Sequence, residues 1–148
     1  MATKVLDSWA LIAFFEDEPA ADAVEKLLQQ AADEKHKLLM SVVNWGEVYY
    51  STMREVSQEA AEQKAQEIAA LPIDIIGVSD DRALAKQAAI LKATHKLSYA
   101  DCFAAALAKQ KNAELITGDL EFKAVEKEIR IQWLTWVENK QGGHNEHL

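Results

Sequence analysis

Residues Lys4–Leu11 read KVLDSWAL: a short apolar run, an acid, then residues at helical spacing. The same order returns at Leu115–Phe122, LITGDLEF, where an apolar run ends in a turn carrying Asp119 and Glu121. Between them, Glu47 in VVNWGEVYY (Val42–Tyr50) comes a few residues after a second apolar run. Asp101 in LSYADCFAAALA (Leu97–Ala108) sits in what reads as the first turn of a helix. If the fold gathers these acids, they make a metal site.

Working outward, short runs rich in β-branched residues predict strands at Lys4–Leu6, Leu38–Val43, Ile73–Val78, Ala113–Thr117 and Ile129–Leu134. Helical spacing occupies Ser8–Phe15, Ala20–Ala32, Trp45–Val56, Gln58–Leu71, Asp80–Thr94 and Tyr99–Lys111. Regular alternation of strand and helix predicts an α/β fold with a parallel sheet. In such sheets ligands collect outside the carboxyl ends of the strands. Asp7, Glu47 and Asp119 follow strands and so face that rim, whereas Asp101 begins a helix and reaches the rim only through the tertiary fold.

The chain of 148 residues, 49% of them apolar, is long enough for one domain with a buried core. With two prolines, five glycines and no repeat, it offers no linker before the polar residues 138–148, ENKQGGHNEHL. We therefore expect one domain over residues 1–137 and a flexible tail after it. Trp9–Phe15 is too short to span a membrane, and the single Cys102 fits a reducing compartment, so a cytoplasmic, non-membrane protein is expected. The net charge of −8 argues against nucleic-acid binding through a broad basic surface. Divalent ions on the carboxylates would invert that potential locally.

Each acid also has a local explanation. Asp7 can cap the helix from Ser8. Asn44 to Glu47, and Ser98 to Asp101, have capping-box spacing, and Thr117-Gly118-Asp119 can be a turn in which glycine supplies unusual backbone angles. Asp80 and Asp81 read as first-turn acids favoured by the helix dipole. Independent caps, however, give no reason for acids to gather on one side of a sheet. Four carboxylates within roughly 5 Å of one another would repel by about 3 kcal/mol per pair at an effective dielectric of about 20, so a cation belongs there. All-oxygen ligation favours Mg2+ or Mn2+ over zinc, and such ions support phosphodiester hydrolysis without a protein nucleophile.

Other reactive residues read as structural. Cys102 lies on an alanine-rich helix and reads as a small buried hydrophobe. His36, in a polar KHK turn, and His95, near a helix end, are expected on the surface. His144 and His147 fall in the tail. Of Trp9, Trp45, Trp133 and Trp136, at most one of the first two is a candidate substrate contact. The Ala-rich segment Gln58–Ala70 puts Ala61, Ala65, Ile68 and Ala69 on one apolar face.

Taken together, VLDSWALIAFF (Val5–Phe15), VVNWGEVYY, SYADCFAAALA (Ser98–Ala108) and LITGDLEF resemble, in that order, the PIN domain, and within it the VapC-type ribonuclease toxins of toxin–antitoxin pairs. The likeness runs over about residues 3 to 135. It implies a three-layer α/β/α sandwich on a central parallel sheet of about five strands, with the first strand in the middle beside the fourth. It matches Asp7, Glu47, Asp101 and Asp119 to the family's catalytic and metal-binding acids, with Ser8 and Thr117 as hydroxyls that orient them. Glu121 stands where the family often has aspartate and is taken as auxiliary. The resemblance further implies a Mg2+- or Mn2+-dependent endoribonuclease, an RNA substrate, a cognate antitoxin and a homodimer.

The alternative from another class is a catalytically silent PIN-like module that binds metal or RNA. Phosphate-transfer receivers and haloacid-dehalogenase-like phosphatases fit less well. Trp9 stands where the latter need a second aspartate, and the third strand lacks a phosphoacceptor and lysine arrangement.

Overall fold

Alternation along the strands splits the core in two. Val5, Leu39 and Leu115 face one side of the central sheet, and Leu6, Leu38, Met40 and Ile116 face the other. The computed structural model describes residues 1–134. In chain order these form β1 (Ala2–Leu6), α1 (Ser8–Phe15), α2 (Ala21–Ala32), β2 (His36–Ser41), α3 (Val42–Glu55), α4 (Gln58–Ala69) and β3 (Asp74–Ile76). They continue with α5 (Ala83–Thr94), α6 (Tyr99–Gln110), β4 (Glu114–Thr117), a 3-10 helix (Leu120–Val125) and β5 (Ile131–Trp133).

All neighbouring strands pair in parallel, in the order β3-β2-β1-β4-β5, so β1 is central and adjoins β4 as the resemblance implied. Helices cover both faces, giving the expected three-layer α/β/α sandwich. On one face Leu84, Ala88 and Leu91 of α5 and the run Cys102–Ala108 of α6 pack on Val5 and Leu115. On the other, Leu11 of α1, Val24 of α2, Val48 of α3 and Ile68 of α4 pack on Leu6 and Ile116. α6 is alanine-rich because Cys102 to Ala108 are all buried, and small side chains let the helix be enclosed on every side.

Several boundaries differ from the sequence reading for identifiable reasons. β2 does not reach Val43. Ser41 turns the chain straight into α3 by accepting a hydrogen bond from Val43 N (3.1 Å), so the helix starts three residues before Trp45. α5 starts at Ala83 rather than Asp80. Arg82 adopts a left-handed conformation (φ 63°), and Asp81, outside the helix, accepts from Ala83 N (3.1 Å). Ala69 of α4 is exposed, leaving Ala61 and Ile68 as the buried contacts of that helix.

His36 is the clearest correction. It is buried, opening β2 with its Nε2 3.1 Å from the Leu27 carbonyl of α2, instead of lying in an exposed turn. The tail from residue 138, with His144 and His147, lies outside the described residues, as does Trp136. Among the described residues no helix is long and apolar enough to cross a membrane.

Burial, then the nearby Lys4 cation, hold the His36 pKa below its ordinary 6.5. The unfolded chain takes up that proton first, so the stability His36 contributes is complete above about pH 6.5 and is lost as pH falls. Thermal melts of the parent and His36→Gln should therefore differ most at pH 7 to 8 and converge towards pH 5. A gap that does not change with pH would contradict this.

Candidate metal centre at the β1–β4 junction

From β1 the chain proceeds to β2 on one side of the sheet, while β4 leads to β5 on the other. This junction is the topological switch point, where open α/β sheets leave a crevice. Register pairs Leu6 with Ile116, which brings the next residues, Asp7 and Thr117, together at the rim. Both are buried, and Thr117 Oγ1 donates to Asp7 Oδ2 at 2.5 Å. Asp7 Oδ1 accepts from Ala10 N (2.9 Å) and caps α1. Thr117 Oγ1 in turn accepts from Asp119 N (3.0 Å), and Asp119 Oδ1 accepts from Glu121 N (3.0 Å), capping the 3-10 helix. The local capping roles of Asp7 and Asp119 are thus present, and they lie side by side.

Gly118 is needed here for space and not for backbone angle. A Cβ on it would lie 2.3 Å from the Trp9 ring, which packs over this turn. Trp9 therefore holds the segment between Thr117 and Asp119 against α1.

Because α3 begins at Val42, Asn44 is inside its first turn and cannot be the cap that the sequence spacing suggested. Glu47 lies one turn further on. Its Oε1 accepts from Ser8 Oγ at 2.6 Å and from Asn44 Nδ2 at 3.2 Å. At α6 the cap is as expected: Ser98 Oγ accepts from Asp101 N (3.1 Å), directing the first turn of that helix towards the rim.

Carboxylate oxygens of Asp101, Asp119 and Glu121 all lie within 4.8 Å of one another. Glu121, auxiliary on the sequence reading, is thus one of this close trio, while Asp7 and Glu47 flank it. Burial, opposed by the Thr117 and Ala10 donors and reinforced by Asp101 and Asp119, pushes the Asp7 pKa up to about 8. Asp101 is pushed up to about 6 by burial and then by Asp119, Glu47 and Glu121. The five acids therefore share one electrostatic field. Among the described residues no salt bridge reaches any of them. An all-oxygen donor set carrying uncompensated charge suits a hard divalent cation. Asn44 and the Trp9–Gly118 packing were not recognised from sequence. The available signal for Asn44 was a polar residue between apolar Val43 and Trp45.

A parallel α/β sheet with acids converging at its switch point defines a class of acidic-rim domains. The chain belongs to the PIN domain family, whose family model matches residues 4–128. No curated protein matches the sequence. Among solved structures, a chain of VapBC2 from Rickettsia felis bound to a promoter DNA fragment matches with TM-score 0.68 and 16% identity, covering 90% of this chain and 99% of that one. VapBC from Salmonella typhimurium, also DNA-bound, gives TM-score 0.67 at 17% identity over 93% of this chain and 100% of that one. VapC20 from Mycobacterium tuberculosis, described as a sarcin–ricin loop cleaving toxin, gives TM-score 0.64 at 19% identity over 82% of this chain and 94% of that one.

Three outcomes follow. Gly118→Ala forces the Trp9 ring to move, and chemical denaturation should show a loss of about 1 to 3 kcal/mol, the usual cost of overpacking. Trp9→Leu in the same chain should restore part of it. In metal-free protein, the folded-state pKa of Asp7 lies near 8, far above its ordinary 3.8. Its stabilising contribution is complete below about pH 4 and declines as pH rises towards 8. Between about pH 7.5 and 8, where His36 is neutral in both states, the metal-free melting temperature should fall, and added Mn2+ should reverse the fall. Asp101→Asn should raise the metal-free melting temperature at pH 7.5 and shrink the response to Mn2+.

Proposed function

We propose that this PIN-domain chain is a metal-dependent endoribonuclease and the VapC-type toxin of a toxin–antitoxin pair. The observation that carries the reading is the set of five acids gathered at the β1–β4 switch point without a cationic partner among the described residues. A bound Mg2+ or Mn2+ would polarise a phosphoryl oxygen, acidify water and stabilise the departing oxyanion.

The chain's own residues do the rest. Asp7, Glu47, Asp101 and Asp119 supply ligand oxygens, with Glu121 at the outer edge. Thr117 orients Asp7, and Ser8 orients Glu47. The acidic rim repels RNA phosphate wherever no cation sits, which confines productive approach to the metal-loaded site.

The solved VapBC neighbours support a cognate antitoxin partner, and the likeness to VapC20, a sarcin–ricin loop cleaving toxin, supports an RNA substrate. We place the protein in the cytoplasm as a homodimer. The antitoxin would cover the acidic rim with an arginine or an apolar helix.

Purified protein should cut RNA in Mg2+ or Mn2+ and stop when the ion is chelated. Asp101→Asn and Asp119→Asn should each lower the cleavage rate on the order of a hundredfold or more while remaining folded by circular dichroism. Folded variants that cut as fast as the parent would remove these residues from the active site. Tight Mn2+ binding without any cleavage would favour the silent-module alternative.

A further inference from the structure

Asn44 Oδ1 is, among the described residues, the buried side-chain polar atom that has no hydrogen-bond partner. The residue itself is fully buried in the first turn of α3. Its amide Nδ2 donates in two directions, to Glu47 Oε1 on its own helix (3.2 Å) and to the Ala100 carbonyl of α6 (3.1 Å). Ala100 immediately precedes Asp101. Two acceptors on one nitrogen set the amide's orientation, since the flipped amide would turn its oxygen towards a carboxylate and a carbonyl.

The environment makes this polar residue costly. An unsatisfied buried acceptor is destabilising, whereas an apolar side chain of the same size in its place is close to neutral. The neighbouring positions are apolar: Val43 packs on the α5/α6 core and Val48 on the α1/α2 core. Ala100, as a helix carbonyl, does not depend on Asn44 for a partner. What only the amide provides is a tie between the acid of α3 and the helix start that carries the acid of α6.

We propose that Asn44 is a positioning residue of the acidic site: it fixes the Glu47 carboxylate relative to Asp101 so that both can serve one cation, at the expense of fold stability. The inference rests on the metal-site reading above. Ser8, on Glu47 Oε1 from the α1 side (2.6 Å), completes the fixation, so Glu47 is held from two helices at once. Removing such a partner of a metal ligand costs about tenfold to a hundredfold in metal affinity.

The test is a double-mutant cycle on the full chain, read by calorimetry with Mn2+ and by thermal melts in chelator. Asn44→Leu should weaken Mn2+ binding at least tenfold while leaving the metal-free melting temperature unchanged or higher. In a Glu47→Gln background the same change should weaken binding no further, because the residue it positions has already lost its charge. Equal Mn2+ affinity in the parent and Asn44→Leu, or losses that add in the double variant, would overturn the proposal. A lower metal-free melting temperature with unchanged affinity would make Asn44 a packing residue only. If Asn44→Leu does not fold, Asn44→Ser, too short to span Glu47 and Ala100, is read in the same cycle. A parent that binds no Mn2+ overturns the metal-site reading itself, and this inference with it, which a cycle with intact parent binding cannot do.

Discussion

The hydrogen bond from Thr117 to Asp7 is the constraint on which the rim is built. It joins the ends of two adjacent parallel strands that are separated by most of the chain, and it lies out of water, where a broken polar contact is expensive. From that bond the order of donors runs outward: Asp119 N to Thr117, then Glu121 N to Asp119. Three acids are thereby placed by consecutive short-range bonds that begin at one long-range contact. The Trp9 ring over Gly118 presses the same turn against α1, so packing and hydrogen bonding hold the segment independently.

Most of the architecture was legible because strand and helix periods differ and the chain switches between them with little ambiguity. Val5/Leu6 and Leu115/Ile116 each pair consecutive apolar residues, the mark of a strand covered on both faces, and both strands proved central. The misread places share a physical cause. At Ser41–Val42 a strand passes into a helix with no glycine or proline, and the capping Ser41 is followed at once by the β-branched Val42 and Val43, so the helix start was placed late and Asn44 was taken for a cap. At Arg82 a non-glycine residue adopts a left-handed conformation, which propensity does not anticipate. His36 sits in a polar neighbourhood of sequence yet points into the α2–β2 contact, a tertiary fact that local composition does not carry.

The acids themselves were visible, but their ranking was not. Their separation in sequence says which strands and helices they end or begin, and so which rim they share. It does not say how close the carboxylate oxygens come. Glu121 illustrates this. A 3-10 helix starts at Leu120, where the sequence shows only a turn, and its first residues bring Glu121 into the trio with Asp101 and Asp119. The negative net charge and the proposed handling of RNA also cease to conflict in this arrangement. The charge at the rim is concentrated where burial already opposes ionisation, so a cation there relieves both costs.

Capping and cation binding are consequently not rival explanations for Asp7 and Asp119. A carboxylate offers about four lone-pair directions over two oxygens, and the bonds to Ala10 N, Thr117 Oγ1 and Glu121 N occupy only part of them. These donors fix the direction of each carboxyl group, which is one condition a ligand must meet before an ion arrives. The helix starts at Ser8 and Leu120 therefore do more than end the strands before them. They hold the oxygens of the proposed ligands in place, so that ion binding would have less side-chain freedom left to remove.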